Sequence, residues 1–221
     1  MTPFYQLGRI GVKICGITSQ RQAEDIIAAG ADAIGFNFWP KSKRYISIQH
    51  AKWAADLTGA MRVAVVVNAT DDELDQIVQC GLVDAIQLHG DETPERCEQV
   101  VQMGLPVIKA LQVRDESVLD WIPAYRSAQA VLLDSYNPGQ YGGEGRTFPW
   151  HLGSLAVRRF QDLPVILAGG LVPENVGEAV SGVYPAAVDV ASGVETSPGV
   201  KDLEKVSQFI QQVHMAESSL S

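Results

Sequence analysis

Eight short apolar runs, each followed by a stretch with helical spacing, predict an α/β chain folded as a single-domain (β/α)8 TIM barrel. Three observations carry that reading. The repeat recurs about every 25 residues, as strand-plus-helix units of such a barrel do. Helix start and stop signals punctuate it, and no G-x-G-x-x-G follows the first run, as a dinucleotide-binding open sheet would have it. The chain's 221 residues are enough for one such domain, and no linker or shift in composition marks a second.

The strand-like runs are VKIC (12–15), DAIGF (32–36), RVAVVV (62–67), DAIQL (84–88), PVIKALQV (106–113), QAVLLD (129–134), PVILAG (164–169) and AAVDVAS (186–192). Ser19 opens a helix that ends at Gly30, and Ser47 opens one that ends at Gly59. Asp71 precedes DELDQIVQCG, and Thr93-Pro94 starts PERCEQVVQMG with proline in the first turn. Further helices are expected over 115–122, 149–160, 173–182 and 200–214. The barrel thus spans residues 12–215, with 1–11 as an N-terminal extension and 216–221 as a tail.

Composition narrows the function classes. A net charge of −9 and a pI of about 4.9 disfavour nucleic acid or an anionic membrane as partner. A small phosphorylated molecule remains compatible, because local Arg side chains and backbone N–H groups can hold it. No apolar run approaches the roughly 20 residues of a membrane span, and no secretory signal pattern opens the chain. Cys15, Cys80 and Cys97 are odd in number and in no metal-ligand spacing. Reduced thiols fit a cytoplasmic protein.

In a barrel, chemistry belongs to the C-terminal ends of the strands and to the loops that follow them. Cys15 ends the first strand and Asp134 the sixth, so both face one rim. A thiol near a helix N-terminus or a cation can act as a general base, though a lone cysteine is also an ordinary small core residue. A carboxylate closing AVLL is costly to bury without a partner; its alternative is a turn-forming aspartate. Together they suit paired proton transfers. His89 ends the fourth strand, as a substrate contact or as a structural histidine. Cys80 and Cys97 fall on helices and read as structural.

Two loops look like an anion cradle. In LAGGLVPENV, Gly169 and Gly170 follow the seventh strand; in DVASGVETSPGVKD, Ser192 and Gly193 follow the eighth. Glycines let backbone N–H groups reach an anion, and the loops after strands 7 and 8 are where barrels often bind phosphate. Tight turns are the plainer reading. The loop FNFWPKSKRYIS carries Lys41, Lys43 and Arg44, and Arg44 can grip a carboxylate bidentately. NPGQYGGEGRTFPW (137–150) is long and glycine-rich, as mobile lids are.

The motifs KICGIT, GADAIGFNFWPKSKRYIS, IQLHG, LLDSY, YGGEGRTFPW, LAGGLVPENV and VDVASGVETSPGVKD, spread along nearly the whole chain, resemble the phosphoribosylanthranilate isomerase family of tryptophan biosynthesis. The resemblance implies a cofactor-free (β/α)8 isomerase carrying out an Amadori rearrangement, as a monomer or a homodimer. It implies Cys15 as general base, Asp134 as general acid, Arg44 as receptor for the anthranilate carboxylate, and phosphate on Gly169, Gly170, Ser192 and Gly193. Asp189 matches a further family aspartate, structural or orienting. Glu144, where many members have a small hydroxyl residue, and Ala191, where they have serine, depart from the pattern. Other readings are a second phosphate-binding sugar isomerase or a non-catalytic phosphate-binding barrel. A histidine-pathway isomerase would have aspartate at Cys15, and indole-glycerol-phosphate synthase would need catalytic lysines at strand ends.

Overall fold

A computed structural model describes residues 2–135 and 149–220. Eight strands pair parallel in chain order: β1 (Gly11–Cys15), β2 (Ala33–Asn37), β3 (Met61–Val66), β4 (Ala85–Leu88), β5 (Val107–Val113), β6 (Ala130–Ser135), β7 (Val165–Leu167) and β8 (Ala187–Val190). Pairing of β1 with β8 closes the barrel. Around it run α1 (Gln20–Ala28), α2 (Asp71–Gln79), α3 (Pro94–Val101), α4 (Trp150–Arg159), α5 (Val176–Val183) and α6 (Leu203–Ser218).

The caps explain most helix starts. Ser19 accepts from the Gln22 amide, and Thr93 from Arg96 with Pro94 in the first turn. Thr70, one residue before the Asp71 expected from sequence, forms a reciprocal capping box with Glu73. Asp202 caps α6, which therefore starts later than the 200 expected.

Two expected helices are 3-10 turns instead. After Ser47 only Lys52–Asp56 coils, because Ala51 and Ala54 are its buried positions and offer too narrow an apolar stripe for a longer helix. The Glu116–Tyr125 segment contains Pro123, which removes an N–H and crowds the preceding turn. A hairpin, β9 (Glu195–Ser197) and β10 (Val200–Lys201), occupies part of the loop read as an anion cradle and the first two residues of the expected last helix. Pro198-Gly199 makes its turn, with Gly199 at φ +82°.

Alternation along the strands separates two cores. Outward residues such as Ile34, Ile86, Leu133 and Val188 pack against the helices, while a second cluster, alanines mixed with larger side chains such as Met61, Ile108, Leu132 and Ile166, fills the barrel. Phe4 and Tyr5, ahead of β1, belong to that inner cluster and close the barrel from below. Gly11 makes this possible: a Cβ there would collide with the Phe4 carbonyl.

The N-terminal rim is stitched by a repeated device. The residue just before β2, β4 and β6 accepts a hydrogen bond from a backbone amide of the strand before it. Asp32 accepts from Val12 at 2.9 Å, Asp84 from Arg62 at 2.8 Å, and Gln129 from Val107 at 2.5 Å. Arg9 and Arg62 pair bidentately with the two aspartates. None of the helices described is long and apolar enough to cross a membrane.

Candidate active site

The opposite, C-terminal rim holds a pocket. Cys15, Arg44, His89, Asp134, Gly169, Gly170, Asp189, Ser192 and Gly193, every site residue expected from sequence, line it together. The lid segment lies outside the described residues over 137–148, and so does Glu144.

At the thiol end, Gly35 on β2 is the enabling residue. A Cβ there would stand 2.7 Å from Cys15 Sγ and 3.2 Å from Lys13 Cε, so only glycine leaves room for both inward-facing side chains of β1. Lys13, fully buried, donates to Asp189 Oδ1 on β8 at 2.8 Å. Burial pushes the Cys15 thiol above its ordinary range, while Lys13 and Lys201 pull it down and Asp189 adds to the rise. Burial outweighs the two cations, so the net displacement of the thiol is upward.

At the carboxylate end, Asp134 is buried and its Oδ2 lies 3.2 Å from His89 Nε2. Gln87, two residues earlier on the same inner face of β4, places its amide nitrogen 2.7 Å from His89 Nδ1. With that amide donating, the ring is the Nε2–H tautomer and donates to Asp134. Gln87 Oε1 is buried without a partner among the described residues. The Ser135 amide donates to Asp134 Oδ1 at 2.8 Å, so both carboxyl oxygens are fixed.

Arg44 is not the free guanidinium that its basic loop suggests. Its Nε and Nη2 grip Glu195 at 2.8 and 2.6 Å. Glu195 also accepts from Lys201 Nζ at 2.7 Å and from the Gly199 amide at 3.1 Å. Burial works to raise the Glu195 pKa, but Arg44 and Lys201 hold it below the usual carboxylate range. Two cations face one carboxylate, although burial lowers the Lys201 pKa against the pull of Glu195, and Arg44 Nη1 has no partner among the described residues. The Arg44 stem crosses Gly16, where a Cβ would strike its Cδ.

The glycine loops adopt the conformation their composition suggests. Gly169 and Gly170 sit at φ +83° and +67°, which side chains disfavour. Asn175 ties the loop by donating to the Gly170 carbonyl at 3.0 Å and accepting from the Val172 amide at 2.9 Å. Helix α5 therefore begins at Val176, after this turn, rather than at Pro173. Ser192 and Gly193 open a 3-10 turn, whose first amides have no intrahelical acceptor. A Cβ at Gly193 would collide with the Leu171 carbonyl, so the two loops approach in backbone contact.

Lys13, Gln87, Glu195 and Lys201 were missed by sequence reasoning. A signal existed for Lys13 and Gln87. Each is a polar residue inside an apolar strand, two positions before a rim residue and hence on its face. Glu195 and Lys201 sit in the unforeseen hairpin, which is what brings them to the site. Cys97 is buried in α3, and Cys80, at the end of α2, donates to the Ile77 carbonyl. Among the described residues, no group of three or more His, Cys, Asp or Glu side chains could hold a metal ion.

Residues 12–212 match the family model described as N-(5'-phosphoribosyl)anthranilate (PRA) isomerase. Proteins named N-(5'-phosphoribosyl)anthranilate isomerase are similar throughout. That of Acinetobacter calcoaceticus is 41 % identical over 93 % of this chain and 97 % of its own. That of Pseudomonas syringae pv. tomato is 44 % identical over 91 % and 96 %. The crystal structure of phosphoribosyl anthranilate isomerase from Thermotoga maritima superposes with a TM-score of 0.84 at 38 % identity, covering 93 % of this chain and 99 % of that one. Another, solved in complex with reduced 1-(o-carboxyphenylamino)-1-deoxyribulose 5-phosphate, gives 0.81 at 37 % identity over the same shares. With its barrel, its rim pocket and these likenesses over nearly its whole length, the chain belongs to the phosphoribosylanthranilate isomerase family.

Proposed function

We propose that this enzyme converts N-(5-phosphoribosyl)anthranilate to 1-(2-carboxyphenylamino)-1-deoxyribulose 5-phosphate, the Amadori step of tryptophan biosynthesis. The observation that carries the reading is the convergence of a thiol, a carboxyl group, a cationic cluster and two amide-lined loops on one pocket.

The substrate's phosphate rests on the backbone amides of Gly169, Gly170, Ser192 and Gly193, without a Lys or Arg in those loops. Its anthranilate carboxylate meets Arg44 through Nη1, the face that Glu195 leaves open. Asp134, protonated, gives its proton to the ribose ring oxygen, and the ring C–O bond breaks to leave a Schiff base. Cys15 as thiolate takes the C2′ proton, and the electron pair neutralises the iminium as an enolamine, which tautomerises to the ketone. One proton enters and one leaves, so the sum is an isomerisation. The two groups stand on rigid strands because proton transfer needs the partners within about 3 to 3.5 Å. His89, oriented by Gln87, fixes the position of Asp134, and Asp189 orients Lys13. This reading needs no metal or cofactor and places the enzyme in the cytoplasm as a monomer or homodimer. The product-like ligand bound to a related barrel of 37 % identity supports it.

The direct test follows the loss of anthranilate-type fluorescence when the purified protein meets freshly prepared phosphoribosylanthranilate. Catalytic decay is expected. Binding of the phosphorylated analogue without turnover would reduce the protein to a ligand-binding barrel.

A further inference from the structure

A thiol is a poor base when burial keeps it protonated, so something in the site must favour its anion. Lys13 is a fully buried cation with one ion-pair partner, Asp189. A buried ion pair contributes little net stability over a well-packed apolar pair, so its placement calls for a reason beyond holding the barrel together. That placement is specific. Lys13 and Cys15 are two residues apart on β1, both face inward, and their side chains meet over Gly35. Cys15 Sγ and Lys13 Cε lie 2.7 and 3.2 Å from the point where a Cβ of Gly35 would stand, so the ammonium end of Lys13 neighbours the sulfur. Asp189 accepts a hydrogen bond from the ammonium on its other side.

We propose that Lys13, held in place by Asp189, is the positioning residue that stabilises the Cys15 thiolate as its counter-ion. Asp189 has an opposing influence on the sulfur, so its service is to keep the ammonium charged and aimed. Other charged groups face the thiol from neighbouring elements. Lys201 on β10 acts in the same direction as Lys13, Arg44 projects from the loop after β2, and Asp134 and His89 stand across the pocket. Among these, Lys13 is the cation on the same strand and beside the sulfur over Gly35, and its ammonium stays protonated because Asp189 and the sulfur outweigh its burial.

This inference deepens the reading of Cys15 as the base, but its test does not depend on turnover. The rate of Cys15 alkylation by iodoacetamide, followed on its own peptide by mass spectrometry across pH, reports the thiolate directly. Lys13→Met is expected to slow alkylation about tenfold or more at pH 7, the effect of losing a contact cation. The difference should narrow as pH rises, because the wild-type thiolate fraction saturates first. The variant Lys13→Met/Asp189→Asn, which leaves no unpaired buried charge, should move in the same direction by less and serves if the single variant fails to fold. An unchanged pH dependence in a folded variant overturns the proposal. So does a slowing of the same factor at every pH, which would mean altered access. If the alkylation profile shifts but the acidic limb of kcat/KM does not, the proposal stands and Cys15 is not the base.

Discussion

The two rims of the barrel spend their polar residues differently. On the N-terminal rim, Asp32, Asp84 and Gln129 do the same thing at equivalent points, each taking an amide of the preceding strand, and the two arginine pairs are local and partly exposed. On the C-terminal rim the residues around the pocket are arranged in dissimilar ways. Lys13–Asp189, Gln87–His89–Asp134 and Arg44–Glu195–Lys201 are three different buried networks facing one pocket. A repeated motif sets strand register; an unrepeated one distinguishes parts of a substrate. Residues on the first rim should therefore govern stability, and those on the second should govern rate.

Substitutions can break that division, and the largest effect belongs to the thiol. Cys15→Ser should lower kcat by about 10² to 10⁴-fold with melting temperature nearly unchanged, because the near-isosteric hydroxyl is a far weaker base. A variant with wild-type turnover in the fluorescence assay would remove the thiol from the mechanism. Within the same rim, Arg44→Ala should raise KM by about 10 to 100-fold, the worth of a charge-assisted contact, with kcat less affected. Asp134→Asn should show the reverse pattern, a kcat loss with KM held. Exchanged signatures would exchange the two assignments.

On the other rim, Asp84→Asn should cost about 1–2 kcal/mol of stability and leave kcat and KM alone, as read by urea unfolding beside the activity assay. Burial tends to raise the Asp84 pKa, but Arg62 holds it below the ordinary carboxylate value. Its contribution is thus complete above pH of about 4 and fades as acid carries the solution down through the lowered folded value. The gap between wild type and Asp84→Asn should close in that window; a gap constant with pH would assign it to packing. Thr70→Ala is the smallest, about 1 kcal/mol from the lost capping box, and is silent in kinetics.

Legibility followed the same geography. Strands could be read because apolar runs alternate with polar breaks, and rim residues because they end those runs. The helix after Ser47 was overread, since the spacing of IQHAKWAADLTG is helical while its buried positions are alanines. The hairpin was hidden because SPGVKD contains both a turn and a helix start, and sequence does not say which residues the turn returns to the site. Arg44 was found but its partner Glu195 was not, for the two are 151 residues apart. The buried Lys13 could be read as polar, yet nothing local tells which carboxylate across the barrel neutralises it.

The Lys13–Asp189 pair also crosses the seam where β8 returns to β1, joining residues 176 apart in the chain. Every other strand pairing in the ring can form between successive segments, whereas this one must wait until the last strand arrives. Long-range closure of that kind is slow compared with local contacts. Until it happens, Lys13 lacks Asp189 as its partner. The charge arrangement beside the Cys15 thiol is thus completed in the same event that closes the barrel, so a chain whose last strand fails to dock lacks the base's surroundings as well as the seam.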